Sequence, residues 1–193
     1  MVERVLITGC LLALLGLTGC PSAEPADDGT KLPDFVLTDQ NGEEFGSADL
    51  GEGVWVANFF FSHCQTICPR VLGAMRVLMD HVERAGYPVR LVSITVDPEN
   101  DDPETLKALA LKWKADSTRW RFLTGTPEAL RGLIVEGFKT LMGEREKLAN
   151  GIIDIGHGAR LVLVGEGNRV RGHFEASDEG VQELLIHLQR ELD

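Results

Sequence analysis

The run Val54 to Phe61 (VWVANFFF) constrains the fold more than any other stretch of this 193-residue chain. It has strand length and lacks the alternation of a half-buried strand, so both of its faces must be covered, as at the centre of an α/β sheet. Two cysteines, Cys64 and Cys68, stand at its C-terminal end, and Pro69 follows the second directly. From there Val71, Leu72, Met75, Leu78, Met79 and Val82 recur at helical spacing, with Gly86 as a stop. Val89 to Val96 (VRLVSITV) is predicted as the next buried strand, ended by Asp97-Pro98. Strand, helix and strand make a right-handed parallel βαβ unit.

The remaining elements extend that unit. Asp102 caps a helix opened by Pro103, with Leu106, Leu109, Ala110 and Trp113 inward. Trp120 to Leu123 is a short strand, and Thr126-Pro127-Glu128 starts a helix whose inner face is Leu130, Leu133, Ile134 and Phe138. Lys139 to Asp154 is polar and reads as an irregular excursion. Arg160 to Val164 and Val170 to Phe174, joined by GEGN, form an antiparallel hairpin, and Ser177 caps a last helix along Val181, Leu184, Leu185 and Leu188. Ahead of all this, FVLTDQNGEEF alternates around Asn41-Gly42, the signature of a hairpin with a two-residue turn. The order fits a thioredoxin-like α/β fold over residues 32–193, a mixed central sheet flanked by helices with an N-terminal hairpin and an internal insertion. In such sheets chemistry collects at the C-terminal ends of the parallel strands, which is where Cys64, Cys68 and Asp97 fall.

Before the domain, Val5 to Leu17 is uncharged and apolar but shorter than the roughly 20 residues of a membrane span. It ends in Leu17-Thr18-Gly19-Cys20, which resembles a bacterial lipobox. Residues 1–19 are therefore expected to be a lipoprotein signal peptide, Cys20 the lipidated residue, and 20–31 a polar, proline-containing linker. The plainer alternative is an uncleaved anchor helix. Either one places the domain outside the cytoplasm on a bacterial membrane, on the periplasmic side or the cell surface. Cys10 leaves with the signal, and Cys20 is consumed by lipid, so Cys64 and Cys68 are the remaining thiols. The net charge of −11 argues against nucleic acid and against a polybasic membrane contact.

Pro69 suits the first helical turn, so both sulfurs are expected at the positive end of a helix, where thiolate is favoured. A Cys-x-x-x-Cys pair there is compatible with a structural disulfide, a redox-active couple or a soft-metal site, and two sulfurs suit Cu(I). Five histidines are available to join them. His81 and His187 lie on amphipathic helices, His173 is in the last strand, and His63, adjoining Cys64, points away from it on an extended segment. His157 lies between Gly156 and Gly158, in the loop leading into Arg160 to Val164. In thioredoxin-like oxidoreductases that loop carries a cis-proline beside the cysteines. The last proline here is Pro127, and a neutral imidazole at His157 can complete a Cys, Cys, His site.

The motifs FSHCQTICP, VSITVDPENDDPETL, RFLTGTPEAL and GHGARLVLV resemble those of the Sco (SenC) family of copper chaperones for cytochrome c oxidase assembly, over residues 32–193. The resemblance implies copper, as Cu(I) or Cu(II), held by Cys64, Cys68 and His157, with Asp97 affecting the site or partner docking. In that family the histidine is commonly followed by serine or threonine. Gly158 departs from this and implies a looser imidazole and a more exchangeable metal.

The expected function is an extracytoplasmic metallochaperone that hands copper to the copper-receiving subunit of cytochrome c oxidase or to another periplasmic copper protein. The alternative is a thiol-disulfide reductase, in which Cys64 and Cys68 keep the receiving cysteines reduced and His157 is dispensable. A peroxidase would need a Pro-x-x-x-Thr-x-x-Cys arrangement, and Phe61 stands where its threonine belongs. A structural zinc normally takes four protein ligands, and only three are apparent.

Overall fold

The computed structural model of the chain describes residues 29–64, 67–148 and 153–192. The proposed signal segment, Cys20 and most of the linker lie outside them. The described elements are β1 (Val36–Asp39), β2 (Glu44–Gly46), α1 (Ser47–Leu50), β3 (Trp55–Phe60), α2 (Cys68–Ala85), β4 (Arg90–Thr95) and α3 (Pro103–Lys112). They continue with β5 (Trp120–Thr124), α4 (Pro127–Arg131), β6 (Met142–Lys147), β7 (Ile153–His157), β8 (Arg160–Gly165), β9 (Arg169–Glu175) and α5 (Asp178–Leu192). Seven strands form one sheet in the order β2-β1-β5-β4-β3-β8-β9. Its centre is parallel, β3 with β4 and β4 with β5, and its flanks are antiparallel. This is the mixed, helix-flanked sheet that the sequence predicts.

All six residues of β3 are buried, because aromatic rings close on both of its faces. On one face Trp55 and Phe59 take edge contacts from Phe138, at ring-centroid distances of 5.9 and 5.2 Å. On the other, Phe60 meets Phe122 edge-on at 5.6 Å. The single polar side chain of the strand, Asn58, accepts a hydrogen bond from Ser93 Oγ at 2.5 Å, and that hydroxyl accepts from Trp120 Nε1 at 2.9 Å. A buried polar group needs such a partner.

The predicted helix signals hold. Asp102 Oδ1 accepts from Thr105 N at 2.8 Å, Ser177 Oγ accepts from Gly180 N at 3.1 Å, and Gly86 ends α2 in the left-handed region at φ 69°. The first hairpin differs. Asp39 N donates to Glu43 O, Gly42 N donates to Asp39 O, and Gly42 has φ +80°, so the turn has three residues instead of two. Asp39 Oδ1 stabilises it by accepting from Asn41 N and Glu43 N. After α4 the helix widens over Gly132–Gly137 to i+5 hydrogen bonding, with Phe138 N donating to Leu133 O, and this delivers Phe138 to β3.

The largest departure is in Lys139 to Asp154, read from sequence as irregular. Here β6 and β7 form a two-stranded antiparallel ribbon separate from the main sheet. Most of β6 is exposed and charged, so it carries no apolar alternation to announce a strand. Met142 pairs with His157 and Arg145 with Ile155, so β6 spends Gly143 and Glu144 where β7 has only Gly156, a β-bulge. His157 is thus the last residue of a strand and not a loop residue.

Candidate metal centre

The turn that leaves β3 is tied to the start of α2 through its sulfurs. Ile67 is the N-cap, Cys68 the first helical residue and Pro69 the second, so the proline lies in the first turn as the sequence suggests. Cys68 N, one of the helix's unpartnered amides, donates to Cys64 Sγ at 3.4 Å. Phe61 N donates to Cys68 Sγ at 3.5 Å, and Cys64 N to Phe61 O at 3.2 Å. Both cysteines are buried and in the dithiol form.

The expectation of two favoured thiolates does not hold for Cys68. Its side chain is 2% exposed, and burial pushes its thiol well above the usual range, against the lowering effect of the Phe61 amide. The Cys64 sulfur and the Asp101 carboxylate push the same way. A helix terminus contributes about 0.3–1 kcal/mol to a nearby charge, which is less than a buried thiolate loses in hydration.

His157 faces this thiol, with Nε2 at 3.3 Å from Cys68 Sγ. Its Nδ1–H donates to Gly158 O at 3.2 Å, which fixes the tautomer and leaves the Nε2 lone pair to accept the Cys68 S–H. The ring stands perpendicular to Phe61, with centroids 5.6 Å apart. Burial lowers the imidazole's pKa, opposed by the Gly158 carbonyl and by Asp154, so the ring stays neutral, the form that binds metal. At the position where the family commonly has serine or threonine, it is the backbone carbonyl of Gly158 that contacts the ring.

The sulfurs of Cys64 and Cys68 and a ring nitrogen of His157 all lie within 4.8 Å of one another. Two soft donors and one imidazole fit Cu(I), and with the imidazole engaged they also fit Cu(II). The other histidines stand apart from the cluster. His63 is exposed and bonded to Ser62 Oγ, His81 bonds Val77 O on α2, His187 packs on Phe174, and His173 lies opposite Val162 in β9. Asp97 lies at the same end of the sheet and is 3% exposed. Its carboxylate accepts from Asn100 Nδ2 at 3.0 and 2.9 Å and pairs with Arg145 at 3.2 Å.

Sequence reasoning passed over Asp101, which is fully buried beneath the cysteine turn. Both of its oxygens accept from Ser62 N, at 3.3 and 3.1 Å, and Oδ2 also accepts from Thr95 Oγ1. Burial raises its pKa, opposed by these donors. Its position in Asn100-Asp101-Asp102, just before a helix, looked like ordinary capping chemistry.

A thioredoxin-like domain with a Cys-x-x-x-Cys pair, no cis peptide among the described residues and a histidine facing the thiols defines the class: a dithiol protein equipped to hold a soft metal. The SCO1/SenC family profile matches residues 23–193, and the chain belongs to that family. Sco proteins form a family of cytochrome c oxidase assembly proteins. The SCO1 protein homolog of Bacillus subtilis is 30% identical over 161 residues, covering 82% of this chain and 81% of its own. A SCO1/SenC family lipoprotein from Bacillus anthracis superposes with a TM-score of 0.77 at 30% identity, over 89% of this chain and 99% of that one. ScoI of Bradyrhizobium japonicum, whose structure holds copper, shares the fold at a TM-score of 0.70 and 22% identity, over 83% and 99% of the two chains.

Proposed function

We propose that this protein is an extracytoplasmic metallochaperone that binds copper through Cys64, Cys68 and His157 and passes it to the copper-receiving subunit of cytochrome c oxidase or to another copper protein outside the cytoplasm. The convergence of two buried sulfurs and a neutral, tautomer-fixed imidazole within 4.8 Å carries this reading. Copper is the cargo. Cys64 and Cys68 supply thiolates once the metal displaces their protons, and His157 supplies a third donor whose orientation the Gly158 carbonyl sets. Three donors leave the ion accessible to ligands of a receiver, as transfer by ligand exchange requires.

Anaerobic copper titration of the reduced protein tests the site. Cys64→Ser and Cys68→Ser should abolish tight binding. His157→Ala should weaken Cu(II) about 10–100-fold and Cu(I) less, because two sulfurs already satisfy the softer ion. Unchanged binding in His157→Ala would remove the imidazole from the site.

The dithiol pair also supports a second reading, a thiol-disulfide reductase. Two electrons and two protons would pass from Cys64 and Cys68 to a receiver's disulfide, leaving a disulfide here and a dithiol there. That role needs no imidazole, so oxidase assembly that persists in His157→Ala and fails in both cysteine variants selects it. The Leu17-Thr18-Gly19-Cys20 motif supports a lipid anchor at Cys20 on a bacterial membrane, and the related Bacillus anthracis protein is a lipoprotein. Mass spectrometry of the membrane fraction should show a mature protein that begins with diacylated Cys20, and retention of residues 1–19 would refute the anchor.

A further inference from the structure

We infer that Arg145 is the positioning residue for His157 and acts through Asp97. The inference rests on the three-donor site proposed above. His157 belongs to the β6–β7 ribbon, which among the described residues pairs with no strand of the main sheet. Between the ribbon and the ends of β4 and α4 lies a cleft of about 340 Å³, lined by Asp97, Glu99, Arg131, Met142, Arg145 and Ile155. The ribbon is therefore held to the body by side chains, Ile155 in the core on one side and whatever crosses the cleft on the other, and these set where the imidazole sits.

Arg145 crosses it. Its Nη1 lies 3.2 Å from Asp97 Oδ1 and 3.6 Å from Glu99 Oε2. The far end of the contact is fixed: Asp97 is 3% exposed, both of its oxygens accept from Asn100 Nδ2, and its own N–H donates to Thr95 Oγ1 at 2.9 Å. The neighbouring Val96 N donates to Phe60 O at 2.8 Å, at the end of the strand from which the cysteine turn departs. One guanidinium thus joins the cysteine side of the centre to the histidine side.

The bulge in β6 aims it. Continuing the register of Met142 with His157 would set Arg145 opposite Asp154, on the far face of the ribbon. The extra residue moves Arg145 opposite Ile155, on the face that carries Ile155 and, two residues on, His157. Ile155 is 3% exposed and marks that face as the one turned to the body. A second ion pair spans the cleft, Arg131 Nη2 to Glu144 Oε1 at 3.1 Å, but both side chains are more than half exposed, and such surface pairs contribute little.

The test is a cycle of Arg145→Ala, His157→Ala and the double variant, with Glu144→Gln as control, each titrated with Cu(II) and with Cu(I) and recorded by visible absorption. Partners that orient metal-bound histidines account for about 10–100-fold in affinity. Arg145→Ala should therefore lose at least tenfold in Cu(II) affinity, change Cu(I) less, and give a Cu(II) spectrum shifted toward that of His157→Ala. Arg145→Lys should recover part of the loss, and Glu144→Gln should match wild type. In the His157→Ala background, Arg145→Ala should cost nothing further. An Arg145→Ala protein with wild-type Cu(II) affinity, or one that loses the same factor with or without His157, overturns the inference and leaves the three-donor site standing. Should His157→Ala itself bind Cu(II) like wild type, both fall. If Arg145→Ala does not fold, Arg145→Gln, which keeps a polar head without the charge, takes its place under the same criteria.

Discussion

Asp101 and Asp102 are neighbours in sequence and opposites in environment. Asp102 is exposed at the start of α3, and hydrogen bonds from Thr105 hold its pKa below the usual carboxylate range. Asp101 is buried, and loss of hydration raises its pKa. A raised carboxyl keeps its proton in the folded state over a pH window where the unfolded chain has lost it, from about pH 4 upward. Its contribution to stability is therefore greatest in acid and falls as pH rises through the folded pKa. Chemical denaturation of wild type and Asp101→Asn across about pH 4 to 7 should show the wild type's relative stability declining with pH, by about 1.4 kcal/mol for each tenfold difference in proton affinity between the folded and unfolded carboxyl. His157, whose pKa is lowered, gives the opposite slope in both proteins and cancels in the comparison. A difference independent of pH would mean that Asp101 is ionised normally in the folded protein. Asp101 and Arg145 were illegible in the sequence for one reason: the value of a charged residue depends on a partner brought close by the fold. Cys64, Cys68 and His157 were legible as neighbours because the cysteines frame the start of α2 and the histidine stands just before the strand that pairs with β3, while the cysteine spacing alone left disulfide, redox couple and metal site open.

At the scale of elements, β3, α2, β4 and α3 could be read because hydrophobic pattern and end signals agree in each. The ribbon could not, since its strands hold together by cross-strand backbone pairing with little buried apolar surface, and periodicity detects only burial. Its two facing glycines are also unequal. A Cβ on Gly143 would lie 2.9 Å from Gly156 N and 3.2 Å from its Cα, contacts that only backbone movement relieves, whereas a Cβ on Gly156 would stand 3.9 Å from Gly143 Cα. Gly143→Ala should therefore disturb the ribbon at a cost of about 1–3 kcal/mol, typical of overpacking, while Gly156→Ala is tolerated. Hydrogen exchange across residues 142–157 measures this, and equal acceleration in the two variants would contradict it.

At the scale of the whole molecule, the sheet order brings the centre together. The cysteine turn leaves β3, Asp97 and Asp101 follow β4, and β8, which pairs antiparallel with β3, begins just after the ribbon. These three segments therefore meet at one end of the sheet. The contact between Cys68 and His157 joins positions 89 residues apart. Cys64 and Cys68, by contrast, are local neighbours that any conformation of the chain keeps close. An unfolded chain can offer a metal the two sulfurs but has to close that long loop to add the imidazole, an entropic cost that only the completed sheet has already met. In the proposed three-donor site the third donor would thus work as a proofreading step on the protein itself: a chain in which β8 has not docked beside β3 would hold copper as a plain dithiol, and only the finished fold would present the full set.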